Sequence, residues 1–135
     1  MDNSAVNDSG VDWARLRSAA VEAAASAYCP YSGLRVGAAG LCSDGRIVIG
    51  CNVENAAYGV ALCAECTMAG QLLLTGGGRL AAVACRGGDG QLLMPCGRCR
   101  QILFELGGPD CLVDTPDGAL SMRELLPFAF GPDDL

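Results

Sequence analysis

The sequence predicts an α/β domain: a three-layer α/β/α sandwich, with a mixed sheet of about five strands covered by helices on both sides. Three observations carry this. Short runs rich in Val, Ile, Leu and Ala alternate with stretches whose apolar residues recur at helical spacing. Leu80-Ala81-Ala82-Val83-Ala84 is a near-continuous apolar run of the kind found in a strand covered on both faces. The pair Asp44-Gly45, between two strand-like runs, marks a tight hairpin. The 135 residues suit one domain over residues 11–135, long enough to bury roughly two thirds of its unfolded surface.

Residues 1–10 are small and polar with no apolar period, and are expected to form a flexible N-terminal arm. From Asp12, an N-cap by residue type, Trp13, Leu16, Ala20, Val21, Ala24 and Ala27 form an apolar stripe, which predicts a helix ending before Pro30. Trp13 belongs to that stripe and reads as core or interface rather than as a stacking platform. Residues 34–41 and 47–52 read as the two hairpin strands, the second delivering Asn52 and Glu54 to its end. Cys63 opens a helix that runs to about Leu74 and stops at Gly76-Gly77-Gly78. After the strand at residues 79–85 comes Gly87-Gly88-Asp89-Gly90, a turn that lacks the Lys-Ser/Thr of a phosphate loop. A helix over residues 97–106 follows, then a short strand at residues 111–114. Residues 120–126 read as a last helical turn, capped by Ser121 with Glu124 three residues on.

The charge is −6 and the basic residues number nine, with none of the stripes a polynucleotide backbone requires. Nine cysteines, an N-terminus without a signal-peptide pattern, and apolar runs far shorter than the ~20 residues of a membrane span point to the reducing cytoplasm. Apolar residues at 51 % and charged ones at 18 % favour a packed globule with apolar surface left for subunit contacts. Cys29, Cys42, Cys51, Cys85 and Cys111 read as small core residues.

Chemistry concentrates in Cys63-Ala64-Glu65-Cys66 and Pro95-Cys96-Gly97-Arg98-Cys99. The chain has no histidine, so a zinc ion here is held mainly by sulfur. Two readings stand. Cys63, Cys66, Cys96 and Cys99 form a closed four-cysteine structural site, or Cys63, Cys96 and Cys99 bind zinc, water takes the fourth place, and Glu65 moves protons. The order Cys-Ala-Glu, then Pro-Cys-x-x-Cys, matches the zinc nucleobase deaminase signature, with Cys63 in the histidine's place. A thiol oxidoreductase needs neither a second CxxC nor Glu65.

The likeness extends to Tyr28-Cys29-Pro30-Tyr31-Ser32, Val36-Gly37-Ala38-Ala39, Asn52-Val53-Glu54-Asn55-Ala56 and the tail from Leu125 to Leu135. Over residues 11–135 the chain resembles the cytidine deaminases of the small, homotetrameric, zinc-dependent kind. That resemblance implies the same sandwich fold and one zinc per subunit on Cys63, Cys96 and Cys99, with sites at subunit junctions and Tyr58 near one of them. It implies hydrolysis of cytidine and 2′-deoxycytidine to uridine and 2′-deoxyuridine plus ammonia in pyrimidine salvage, with Glu65 as proton shuttle. It also implies substrate contacts from Asn52 and Glu54 to the ribose, from Ala64 and Leu34 in the base pocket, and from Phe130 of a neighbouring subunit against the pyrimidine. Asn52 and Glu54 have an alternative use in satisfying loop backbone, and Phe130 in filling an interface. Where the family commonly has Arg the chain has Cys66, so the helix N-termini and Arg98 or Arg100 are expected to offset thiolate charge, Arg98 being favoured from inside the Pro-Cys-x-x-Cys loop unless it is simply solvated. Where the family commonly has Phe the chain has Leu34. A deaminase of a cytosine-containing antibiotic is the neighbouring activity, which the pair Asn52 and Glu54 disfavours.

Overall fold

The structure, a computed structural model, describes residues 10–135. The arm expected over residues 1–10 falls, apart from Gly10, outside the described residues. Helix α1 (Trp13–Ala24) is followed by strands β1 (Val36–Cys42) and β2 (Ile47–Cys51), helix α2 (Ala64–Leu74) and strand β3 (Leu80–Gly87). Helix α3 (Gly97–Gly107), strands β4 (Leu112–Thr115) and β5 (Gly118–Ser121) and the single-turn helix α4 (Met122–Leu125) complete the order. The five strands form one sheet in the order β2-β1-β3-β4-β5. Only β3 and β4 run parallel, and the crossover between them is α3.

Side-chain alternation along the strands separates two cores. On one face Ala39, Ala82 and Ala84 meet Trp13, Leu16 and Ala20 of α1. On the other, Ala38, Val48, Val83, Cys85 and Val113 pack under Met68 and Leu72 of α2, Leu103 of α3 and Met122 of α4. The sandwich predicted from the sequence is therefore present, with α1 alone on one side and three helices on the other.

Both helical layers lie close against the sheet where the strands carry glycine. A Cβ on Gly37 would lie 1.9 Å from the Ala20 carbonyl oxygen, and one on Gly50 would lie 2.2 Å from the Met68 nitrogen and 2.4 Å from the Ala64 carbonyl oxygen. Gly50 thus fixes how closely the first turns of α2 approach β2. Across the sheet, Asp114 at the end of β4 is only 3 % exposed and accepts from Arg17 Nε and Nη2, each at 3.0 Å, and from Arg86 Nη2. That charge cluster ties α1 to β3 and β4.

The caps follow the sequence. The Asp12 side chain accepts from Arg15 N, Ser121 and Glu124 form a capping box, and Gly76, Gly77 and Gly78 end α2 with φ of 123°, 75° and 96°. Helix α1 ends at Ala24, before Pro30 as expected and short of Ala27, the last residue of the apolar stripe; beyond it Tyr28 is a bridge partner of Val53, with Tyr28 N donating to Asn52 O. Two expectations need correction. The fifth strand begins at Gly118, where Ala119 and Leu120 pair with Asp114 and Val113, so the last helix starts only after Ser121. Cys42, Cys85 and Cys111 are buried, but Cys29 and Cys51 are only partly so.

Gly50→Ala is expected to lower stability by about 1–3 kcal/mol, because the neighbouring atoms are helix backbone that cannot swing aside. Urea unfolding compared with the parent chain checks it.

Candidate metal centre and cleft

Helices α2 and α3 both open on a cysteine. Cys63 is the N-cap of α2 and Cys96 that of α3, each in extended backbone (ψ 160° and 170°) with no side-chain capping bond. Their sulfurs are left free to project from the helix ends. Packing of α2 against α3 on the same sheet face brings those ends together, and Cys99, buried in the first turn of α3, adds a third sulfur. The three Sγ atoms lie within 4.8 Å of one another, and Cys63 Sγ is 3.9 Å from Cys96 Sγ. Zinc–sulfur bonds of about 2.3 Å in tetrahedral array place sulfurs about 3.8 Å apart. The donor set fits zinc.

Cys66 lies outside this cluster, and among the described residues Cys63, Cys96 and Cys99 are the one such group. Cys66 Sγ instead accepts from Arg98 Nη2 at 3.3 Å, and the same guanidinium nitrogen reaches Ala61 O at 3.5 Å. Arg98 was expected to offset charge on the ligand sulfurs, but its hydrogen bond goes to Cys66. The hydrogen bond it donates to Cys66, then that sulfur's charge and the charges of Cys63 and Cys99, raise the guanidinium pKa. Arg98 thus lies in the field of two ligands while contacting neither through a hydrogen bond.

Left to themselves the three thiols resist joint ionisation. Burial, followed by the negative charge of Glu65, pushes Cys99 far up, and burial raises Cys63. At Cys96 burial acts upward but is outweighed by hydrogen bonds, led by the Cys99 backbone N–H, and the thiol falls below its ordinary value. Those N–H groups are the unpaired donors of the α3 N-terminus. A divalent cation is what lets all three sulfurs be thiolates at once.

Beside the sulfurs opens a cleft of about 340 Å³. It brings together Leu34, Asn52, Glu54, Ala64 and Glu65 from among the residues expected to contact substrate, with Cys63 and Cys96 in its wall. Glu65, in the first turn of α2, is only 4 % exposed. Its Oε2 accepts from Cys85 Sγ at 3.2 Å. Nothing in the sequence marked Cys85 except that the apolar run of β3 ends on it.

Asn52 and Glu54 are engaged with backbone. Asn52 Oδ1 accepts from Val36 N at 2.8 Å and Nδ2 donates to Leu34 O at 2.9 Å. Glu54 accepts from Tyr31 N, Ser32 N and Ser32 Oγ. The Ser32 hydroxyl first, and then the two backbone N–H groups, hold its carboxyl below its ordinary value. Both side chains therefore fasten the segment between α1 and β1 to the cleft rim while still lining the cleft. Leu34 is half exposed at that rim. Phe130 is not among the residues lining its own chain's cleft; the residue is 60 % exposed and its carbonyl accepts from Gln101 Nε2.

A buried carboxylate beside a three-sulfur metal centre, at the base of a small cleft on an α/β/α sandwich, defines the class of zinc-dependent deaminases. Residues 12–115 match the cytidine and deoxycytidylate deaminase zinc-binding region. A cytidine deaminase of Mycobacterium tuberculosis is 58 % identical over 125 residues, which cover 93 % of this chain and 94 % of that protein. One from Halalkalibacterium halodurans is 37 % identical over 121 residues, covering 86 % and 92 %. The crystal structure of the M. tuberculosis cytidine deaminase superposes with a TM-score of 0.88, covering 90 % of this chain and 98 % of that one. That of the Mycobacterium leprae cytidine deaminase gives 0.85 at 57 % identity, covering 87 % and 98 %. The chain belongs to the cytidine and deoxycytidylate deaminase family.

Cys63→Ala and Cys99→Ala are expected to lose zinc, whereas Cys66→Ala keeps one zinc per chain. Metal content after gel filtration in a mild chelator measures this.

Proposed function

We propose that this chain is a cytidine deaminase that hydrolyses cytidine and 2′-deoxycytidine to uridine and 2′-deoxyuridine with release of ammonia, in pyrimidine salvage. The observation that carries the reading is the Glu65 carboxylate, buried yet facing the cleft directly beside the cysteine cluster. Bound at Cys63, Cys96 and Cys99, zinc supplies Lewis-acid activation of water at neutral pH. Glu65 would take one proton from the attacking water and pass it to N3 of the pyrimidine so that C4 becomes electrophilic, then take the remaining proton from the new C4 hydroxyl and pass it to the departing amine. The C4–N bond breaks, C4 gains oxygen, and the carboxylate ends as it began.

Substrate size and charge support a nucleoside. Among the described residues no arginine lines the cleft, so none of them there pairs with a phosphate, and the chain's net charge of −6 repels polyanions. Asn52 and Glu54, already fastened by backbone bonds, have their remaining hydrogen-bonding capacity available for the ribose, chiefly its 3′-hydroxyl. Ala64 and Leu34 flank the base. Among the described residues no helix is long and apolar enough to cross a membrane, and the nine cysteines are all unpaired, which supports a reducing cytoplasm.

The assembly in this reading is a homotetramer of single-domain chains, residues 11–135, with cleft mouths at subunit junctions. Tyr58, Phe128 and Phe130 are all exposed, as side chains awaiting a neighbour would be. In it Phe130 enters a neighbour's cleft and packs against the pyrimidine.

Glu65→Gln is expected to keep zinc and fold while losing roughly 10²- to 10⁴-fold in kcat, read as the slowed ultraviolet change when cytidine is added. Unchanged turnover removes Glu65 from the chemistry. Phe130→Ala is expected to weaken activity mainly through KM. Co-refolding it with Glu65→Gln is expected to regain activity above that of either variant, because some sites then pair an intact Glu65 with a neighbour's Phe130. Purely additive activity places Phe130 outside the shared site.

A further inference from the structure

Cys85 is a buried thiol in the central strand of the sheet, and no step of the chemistry above uses it. Val83, two residues earlier on the same face of β3, lies in an apolar core, where a thiol is an inert filler. Here, however, Sγ lies 3.2 Å from Glu65 Oε2 and also lines the cleft. A carboxylate that is 4 % exposed needs a donor, and Cys85 is the one that the described residues provide.

We propose that Cys85 is a positioning residue for Glu65: its S–H donates to Oε2, fixes the rotation of the carboxyl group, and leaves Oε1 as the oxygen that exchanges protons with water and substrate. Glu65 sits in the first turn of α2, and the sulfurs beside it are anionic when ligated, so repulsion drives the carboxylate away from the cluster. The thiol holds it from the sheet side. Because β3 is central in the sheet and pairs with both β1 and β4, this anchor is rigid. The thiol can serve as a lasting donor: burial, and then the charge of Glu65, push Cys85 well above the ordinary thiol range, so it keeps its proton. An S–H is a weak donor. It orients the carboxylate without drawing off the basicity that proton transfer requires.

This inference rests on the deaminase reading, and the experiment separates the two. Cys85→Ala and Cys85→Ser are prepared with zinc, and cytidine turnover is measured along with zinc content and thermal unfolding. Cys85→Ala is expected to lose about tenfold in kcat with KM little changed, the signature of a group that acts through the reacting carboxylate. Cys85→Ser, which restores a donor, is expected to recover most of that loss. A packing role gives the reverse order, since a hydroxyl suits an apolar slot less well than a methyl does.

The second readout needs no turnover. The S–H stretching band of Cys85, identified by difference from Cys85→Ala, is expected to lie at lowered frequency and to move upward in Glu65→Gln, where the acceptor loses its charge. Parental kcat in Cys85→Ala, a Ser variant no better than Ala, or a band indifferent to Glu65→Gln each overturns the proposal. A parent chain inactive on cytidine overturns the deaminase reading instead, while the infrared comparison still decides the contact.

Discussion

Three thiolates and a carboxylate in one small volume repel one another, and the rest of the architecture answers that constraint. The cysteines at the starts of α2 and α3 set the unpaired N–H groups and the positive dipole ends of two helices around the sulfurs. The lowered thiol of Cys96, set against the raised thiols of Cys63 and Cys99, shows both sides of that balance. Helix ends temper the repulsion, and a cation completes the balance. Gly50 and Gly37 then matter at a distance, because they set how closely the helical layers sit on the sheet that carries Cys85.

Much of this was legible in the sequence, for physical reasons. Helix α2 could be read because cysteine, a following helical run and a glycine stop coincide, and the strand of Val83 and Ala84 because it is apolar on both faces. The strand β5 was not, since four residues after a hairpin turn carry too little periodicity to stand apart from the helix that follows. The ligand set was legible from spacing only down to two alternatives. Spacing places Cys66 one helical turn from Cys63, but which way its sulfur faces depends on Arg98 arriving from another helix. The contact between Cys85 and Glu65 spans a strand and a helix twenty residues apart, and a thiol at the end of an apolar run carries no local mark of that use.

Asn52 and Glu54 show how a site residue can have a second role. Both line the cleft, and both fasten the chain between α1 and β1 through backbone hydrogen bonds. Sequence reading set these roles against each other, whereas the structure combines the fastening role with a place in the cleft wall. A loop held in this way arrives at a ligand already ordered, and less conformational freedom is lost on binding. Arg98 is a comparable case. Its hydrogen bond goes to Cys66, while the charges of Cys63 and Cys99 also act on it, so a cation from α3 is held beside the cluster through a sulfur that is not part of it.

In the deaminase reading zinc would have three protein sulfurs and one open position beside Glu65. X-ray absorption at the zinc edge of the purified chain tests it most directly. The account predicts three sulfur neighbours at about 2.3 Å and one lighter oxygen or nitrogen neighbour at about 2.0 Å. Four sulfurs at the longer distance would contradict it, and would make the centre a structural one.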